Sequence, residues 1–281
     1  GIKERIWKKV QGWKERILSY PGKEVVIKAI VQALPTYMMS LFAIPEGILD
    51  DLHKIVARFW WESKDGGKKM HWWSWEKMCQ PKSIGGMGFR NLRVFNQALL
   101  AKQVWRLLIK PDSLVSRVLK ARYFKNGSIL EARRGFDPSF TWRSLWNAKP
   151  LVLDGLRWRV VNGRSFKVWE DAWIPGENCT RFPAPNIESD PEMLAEELID
   201  IERAEWKTTK VMELFTREEA RAILSLHLSR NNMEDQLFWW PSKDGSYSVK
   251  SGYWFGKQSR PLVDHLNGEV GVREWWKRIW K

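Results

Sequence analysis

Cysteine is nearly absent from this sequence of 281 residues: Cys79 and Cys179 stand a hundred positions apart, without the paired spacing of a zinc ribbon or the density of a disulfide framework. Histidine is almost as scarce. His53, His71, His227 and His265 are scattered, and although His71 and Cys79 lie eight apart, two ligands do not complete a tetrahedral metal site. None of the four stands in the motif context of a Ser/His/Asp triad. Long apolar runs are missing too. The longest charge-free stretch, Ala29 to Pro45, is seventeen residues and includes Gln32, Pro35, Thr36, Tyr37, Ser40 and Pro45, too short and too polar to span a bilayer. Charges interrupt the apolar positions of the first thirty residues, which excludes a secretory signal, so neither secretion nor a membrane partner is expected. Acid, finally, is thin in the first half. Residues 1–150 hold 28 Lys+Arg against 12 Asp+Glu, a net of +16, whereas residues 151–281 hold 19 against 21, a net of −2.

Basic charge and tryptophan are what the chain has in abundance. A formal net charge of +14 and a pI near 9.8 make an acidic polymer the natural partner, with the first half as its footprint. The 44% hydrophobic content can fill the core of one large domain or two ordinary ones and excludes a wholly disordered chain. The twenty tryptophans have two readings. Tryptophan more often fills and staples a core, yet next to Lys and Arg its ring can stack on bases while the cations neutralise phosphates.

Helical spacing dominates the first half. Ile2, Ile6, Val10, Trp13 and Ile17 predict a basic amphipathic helix ended by Pro21-Gly22. Further helices are expected over about 23–34, 36–42 and from Pro45 into Phe59-Trp60-Trp61, a small bundle. Asp65-Gly66-Gly67 and Ile84-Gly85-Gly86-Met87-Gly88 mark loops around a tryptophan stretch. A helix from Leu92 to Ile109 closes at Pro111, and another runs from Ser113 to Phe124 and stops at Asn126-Gly127, which suits a left-handed cap. From Arg90 to Lys125 nine cations face one acid, Asp112. The second half changes character. Residues 156–161 and 165–169 alternate with period two around Asn162-Gly163, predicting a hairpin, and residues 237–240 and 246–249 predict a second one around Lys243-Asp244-Gly245. Residues 175–191 read as a loop, and acidic helices are expected near 192–199 and 217–226, then a short last helix over 250–256. The fold class is α+β, mainly α-helical, with a helical N-terminal bundle, a helical middle and two small β-hairpins in the second half.

No active site emerges. Gly86-Met87-Gly88 lacks a third glycine at Asn91, and no Gly-Lys-Ser/Thr follows, so the segment reads as a turn and not as a phosphate loop. Asp50-Asp51 resembles a polymerase metal pair, but it opens an amphipathic helix, where carboxylates face the positive end of the helix dipole. Glu170-Asp171 has no third acid at a useful spacing and reads as part of a turn.

Several ordered blocks do carry a resemblance: WKERILSYPGKEVVIKAIVQALPTYMMSLFAIP, FWW at 59–61, HWWSWEKMCQPKSIGGMGFRNLRVFNQALLAKQVWRLL, SLVSRVLKARYFKNGS, SFTWRSLW, GLRWRVVNGRSFKVWEDAWIP and DGSYSVKSGYWF. Together they resemble the region downstream of the polymerase core in plant non-LTR (LINE-type) retrotransposon reverse transcriptases. The resemblance implies a thumb-like helical segment over 1–61, a basic helical connector over 62–150, a hairpin-containing connector over 151–260 and a linker over 261–281 toward a zinc-binding segment not contained here. It implies that Lys14, Arg16, Lys23 and Lys28 contact a template-primer backbone, and in the densely basic stretch Arg90, Arg93, Lys102 and Arg106 extend that candidate set. The expected partners are RNA, DNA or their hybrid and the upstream polymerase domain of the parent protein. The catalytic paired aspartates belong upstream, so the chain by itself is expected to lack catalytic residues, metal and cofactor. Mg would serve the parent polymerase and Zn the downstream segment. The ends, Gly1 and the WWKRIWK at Lys281, look cut from a longer protein. A nuclear or cytoplasmic location is expected, with an organelle as the alternative. The rival reading is a structural or protein-interaction remnant, its aromatics packed internally or against the polymerase domain. The resemblance implies a packing block over HWWSWEKMCQPKSIGGMGF, with its tryptophans expected to anchor the basic helix that follows.

Overall fold

The computed structural model describes residues 2–14, 18–61, 73–176, 183, 190–228 and 233–258. The chain divides into two compact units, residues 1–153 with 247–281, and residues 154–246. Among the described residues no helix is long and apolar enough to cross a membrane.

The first unit is helical. α1 (Ile2–Lys14), α2 (Tyr20–Val26), α3 (Thr36–Leu41) and α4 (Glu46–Trp61) follow the helical spacing of the sequence. Pro21-Gly22 opens α2 and does not close α1: Ser19 caps α2, its Oγ accepting from Gly22 N at 3.4 Å, and a first-turn proline has no helical N–H to lose. Beyond α2 the chain continues as a π-helical turn, Ile27–Val31. Leu49, Leu52, Ile55, Val56 and Phe59 of α4 face the core, as their spacing requires.

A short α5 (Trp75–Met78) and the glycine turn lead to α6 (Leu92–Ile109), the central helix. Asn91 caps it, with Oδ1 accepting from Arg93 N at 3.0 Å and Val94 N at 3.4 Å. The orphan N–H of Leu92 donates to buried His53 Nε2 at 3.0 Å. Buried Asn96 satisfies three backbone groups between α3 and α4: Oδ1 accepts from Ile44 N at 2.7 Å, and Nδ2 donates to Met39 O at 2.6 Å and Phe42 O at 2.9 Å. After Pro111, Ser113 caps α7 (Leu114–Tyr123). That helix ends before the expected glycine stop, and Gly127 is not left-handed. Next comes α8 (Phe140–Gly155), which contains Pro150 and has no counterpart in the sequence reading.

The second unit carries β1 (Leu156–Arg159), β2 (Ile199–Asp200), β3 (Glu205–Trp206), α9 (Thr208–Leu214), α10 (Arg217–Leu224) and β4 (Gln236–Trp239). Among the described residues the chain is thus mainly helical with two small two-stranded antiparallel sheets in its second half, the class expected from sequence. The pairings differ from expectation. β2 pairs with β3 as a local hairpin, whereas β1 pairs with distant β4, Leu156 opposite Trp239 and Arg159 opposite Gln236. Residues 161–165 instead wrap the carboxylate of Asp235: Oδ1 accepts from the N–H of Val161 (2.7 Å), Asn162 (3.0 Å) and Gly163 (3.0 Å), and Oδ2 from Ser165 N (3.0 Å). Gly163 has φ +72°, and a Cβ there would meet Glu196 N at 2.4 Å, so glycine is required by a distant segment and not by a local turn. The predicted turn at 243–245 is present, with Trp239 N donating to Gly245 O at 2.7 Å, but residues 246–248 form no strand. The core of this unit is aromatic, with Trp173 stacked on Trp206 (5.9 Å) and Trp169 on Phe215 (5.2 Å).

The chain then returns to the first unit as α11 (Val249–Gln258), packed along α6. Tyr247 Oη donates to Ala98 O at 3.0 Å, and Tyr253 Oη accepts from Asn91 N at 3.0 Å. Residues 247–258 therefore belong with the helical unit, not with the hairpin-containing stretch 151–260. The Asp65-Gly66-Gly67 loop and the linker 261–281 lie outside the described residues.

Candidate nucleic-acid interface

The eight cations singled out in the sequence fall in the first unit, and most are engaged within it. Lys23 Nζ donates to Trp60 O at 3.4 Å and lies 5.7 Å from the Tyr20 and Phe59 ring centres. Lys28 pairs with Glu24 at 2.7 Å and sits 5.8 Å from the Phe89 ring. Arg90 stacks 4.7 Å over Phe95, and Arg93 forms an ion pair with Asp50, which accounts for one of the paired aspartates. Lys102 Nζ donates to Tyr247 O at 2.6 Å, fixing the entry to α11, and Arg106 bonds Gln103 Oε1 at 3.3 Å. Arg16 and the side chain of Lys14 lie outside the described residues.

The tryptophan stretch and its turn are packing elements where described. Trp75 stacks on Phe89 at 5.6 Å and packs tilted by 32° against His53 at 5.2 Å, beside the start of α6. Trp73 is part-exposed under Lys77, 5.2 Å away. The turn spends its N–H groups on its own chain: Gly86 N on Pro81 O (2.9 Å), Met87 N on Met78 O (3.0 Å) and Gly88 N on Gln80 O (2.8 Å). A Cβ on Gly86 would meet Gln80 O at 2.0 Å. Nothing in that arrangement is left to cradle a phosphate. Asp171 Oδ2 accepts from Lys167 N at 2.9 Å, the turn role expected of it. Among the described residues no three His, Cys, Asp or Glu side chains gather where they could hold a metal ion.

The densely basic stretch 90–125 divides in two. α6 is buried almost all round, because α3, α4 and α11 pack on it, so Arg93 and Lys102 are consumed as anchors while Arg106 stays exposed. α7 is not. Only Ser116 of α7 is buried, while Arg117, Lys120 and Arg122 are exposed, as are Lys110 and Lys125 at its flanks. Among the described residues none of Lys110, Arg117, Lys120 or Lys125 has a carboxylate partner; Arg122 lies over Tyr123 at 5.4 Å. The acids nearest in sequence are Asp112, Glu131 and Asp137. Exposed Leu114, Val115 and Val118 complete the outer face. Nothing in sequence spacing alone separates a cation that will anchor a core from one left in solvent. The signal is the burial of α6 against α11, which lies some 150 residues away in the chain.

The two units also differ in total charge: +20 for residues 1–153 with 247–281 (35 Lys+Arg, 15 Asp+Glu) and −6 for residues 154–246 (12 against 18). The boundary seen in space is therefore sharper than the one drawn between halves of the sequence.

No protein-family profile matches the chain. Two Arabidopsis thaliana proteins are similar to it. It is 32% identical over 260 residues to "Putative ribonuclease H protein At1g65750", covering 90% of this chain but 41% of that protein's length. It is 42% identical over 146 residues to "Uncharacterized mitochondrial protein AtMg00310", covering 52% of this chain and 95% of that protein. The near-complete coverage of the second, together with the first, makes this chain a member of the plant retroelement-related family to which that mitochondrial protein belongs.

Proposed function

We propose that this chain is a non-catalytic, nucleic-acid-binding segment of a LINE-type retrotransposon reverse transcriptase, holding RNA, DNA or their hybrid by its backbone through the first unit. The observation that carries the reading is the +20 unit bearing a helix, α7, whose cations lack carboxylate partners among the described residues. Such cations displace counterions from a polyanion, and that release drives sequence-independent binding. The helices of 1–61 would serve as the thumb, with the upstream polymerase domain of the parent protein as their neighbour. Polymerisation and its Mg ions belong to that domain, and Zn to a downstream segment. The ribonuclease H of the relative's name lies, on this reading, outside the matched segment, which spans 41% of that protein.

Titration of the full chain with a fluorescein-labelled RNA–DNA hybrid over a salt series tests the proposal. The expected result is affinity that falls steeply with salt. Neutralising Arg117, Lys120 and Arg122 together to Gln should flatten the log–log slope by about 2 to 3. Absence of binding at low salt would favour the structural or interaction remnant instead. The full chain is the right object, because a cut after residue 150 would strip α11 and Tyr253 from the first unit's core.

A further inference from the structure

Residues 130–139 form a loop strapped onto α8. Lys149 Nζ donates to Leu130 O (2.9 Å) and Ala132 O (2.8 Å), Trp146 Nε1 to Ala132 O (3.2 Å), and Trp142 Nε1 to Arg134 O (3.1 Å). Residues 142, 146 and 149 share one helical face, so three side chains of α8 hold successive carbonyls of the loop. At its far end Ser139 N donates to Tyr123 Oη at 3.1 Å, and Tyr123 lies flat on fully buried Trp142, centroids 4.5 Å apart and planes 1° from parallel. The loop is thus tied at one end to α8 and at the other to the last residue of α7.

At the tip of this braced loop stands Phe136, the most exposed large hydrophobic among the described residues, between buried Ala132 and Pro138. The residues on either side both take left-handed backbone: Gly135 has φ +78° and Asp137 φ +48°. An L-residue there is strained, and aspartate is among the few that tolerate it. A ring turned fully to water by two left-handed neighbours, on a loop with five bracing hydrogen bonds, has no packing role. Exposed Arg133 precedes it, and Arg122 and Lys125 flank the Tyr123 to which the loop is tied.

The geometry points to a base-stacking platform for a single strand of nucleic acid, with Phe136 meeting the face of an unpaired base while Arg133 and the α7 cations follow its phosphates. This rests on the nucleic-acid reading above and narrows it. A paired duplex shields its base faces, whereas an unpaired strand offers both the ring and the polyanion that this edge complements. An apolar protein partner would find three carboxylates (Asp112, Glu131, Asp137) among seven cations from Lys110 to Asp137, so the charge favours a polyanion.

The test uses the full chain with fluorescein-labelled oligouridylate and oligothymidylate of about twelve nucleotides, within the site sizes such platforms use, and an RNA–DNA hybrid of the same length. Phe136→Ala should weaken strand binding about tenfold without changing the salt slope, since no charge is removed, and should leave hybrid binding unaltered. Phe136→Trp should restore the strand affinity. The side chain is fully exposed, so both variants keep the fold. Strand binding by Phe136→Ala equal to that of the unaltered chain, with hybrid binding intact, would overturn the platform and leave the broader reading standing. So would an equal loss on strand and hybrid. Failure of all three probes to bind at low salt would overturn both.

Discussion

The two units use tryptophan alike and charge differently. Trp142 and Trp60 are buried in the first, Trp169, Trp173, Trp206 and Trp239 in the second. Among the described residues tryptophan abundance therefore reports mainly core-building in both units and does not by itself mark a binding surface. Charge separates them. In the second unit the described lysines and arginines often meet acids: Arg164 with Glu196 (2.9 Å), Lys167 with Glu170 (3.2 Å) and Glu192 (2.7 Å), Lys210 with Glu197 (3.2 Å). In the first unit Arg93 and Lys102 of α6 are anchors, and the cations of α7 face solvent without carboxylates. A basic sequence becomes a candidate polyanion surface only where its cations are left over after folding.

The strongest way to break this comparison is to unfold one unit at a time. Trp142→Ala and Trp173→Ala each remove a buried indole, costing about 3–5 kcal/mol. Hydrogen exchange should show protection lost in the first unit for Trp142→Ala, together with hybrid binding, and in the second unit for Trp173→Ala with binding retained. Loss of binding in Trp173→Ala would mean that the second unit takes part.

Acid should take the units apart in order. Burial, helped by the Arg93 charge and opposed by Asp50 and Glu76, pushes His53 down from 6.5 to about 4. The unfolded chain therefore binds the extra proton first. The first unit's stability is complete above pH 6.5 and declines by roughly 3 kcal/mol on the way to pH 4. His53→Gln, which can still accept from Leu92 N, should flatten that decline in urea melts at pH 7 and 4.5. In the second unit burial raises the Asp235 carboxyl, but the N–H groups of Val161, Gly163, Ser165 and Asn162 together outweigh it and hold the group below the usual 3.8. Its contribution is present above that value and lost as pH falls through the lowered one. Asp235→Ala should cost about 1–3 kcal/mol by orphaning those donors, with protection lost around 161–165. The smallest effect sharpens the contrast. Neutralising Arg117, Lys120 and Arg122 should move stability by less than about 0.5 kcal/mol, because solvent-facing charges contribute little to the fold.

Elements with a local cause were legible in the sequence. The bounds of α6 follow from its apolar run and Pro111, and α4 from the spacing after Pro45. The failures share a non-local cause. Asn162-Gly163 gives a strong hairpin signal, but its glycine serves the approach of residues 195–196 and its N–H groups serve Asp235, over seventy residues away. α8 was hidden by Pro150 inside it, and it is the face of α8 with Trp142, Trp146 and Lys149 that orders the loop carrying Phe136. The site cations were legible as a basic stretch but not as individuals, because burial of α6 by α11 decides which of them are left over.

The most direct test of the central claim is lysine acetylation footprinting of the full chain with and without an RNA–DNA hybrid, read by mass spectrometry. The account predicts protection of Lys110, Lys120 and Lys125 on and beside α7, with Lys207, Lys210 and Lys243 of the second unit unchanged. Protection confined to the second unit, or no change at any of the six in the presence of saturating hybrid, would contradict it.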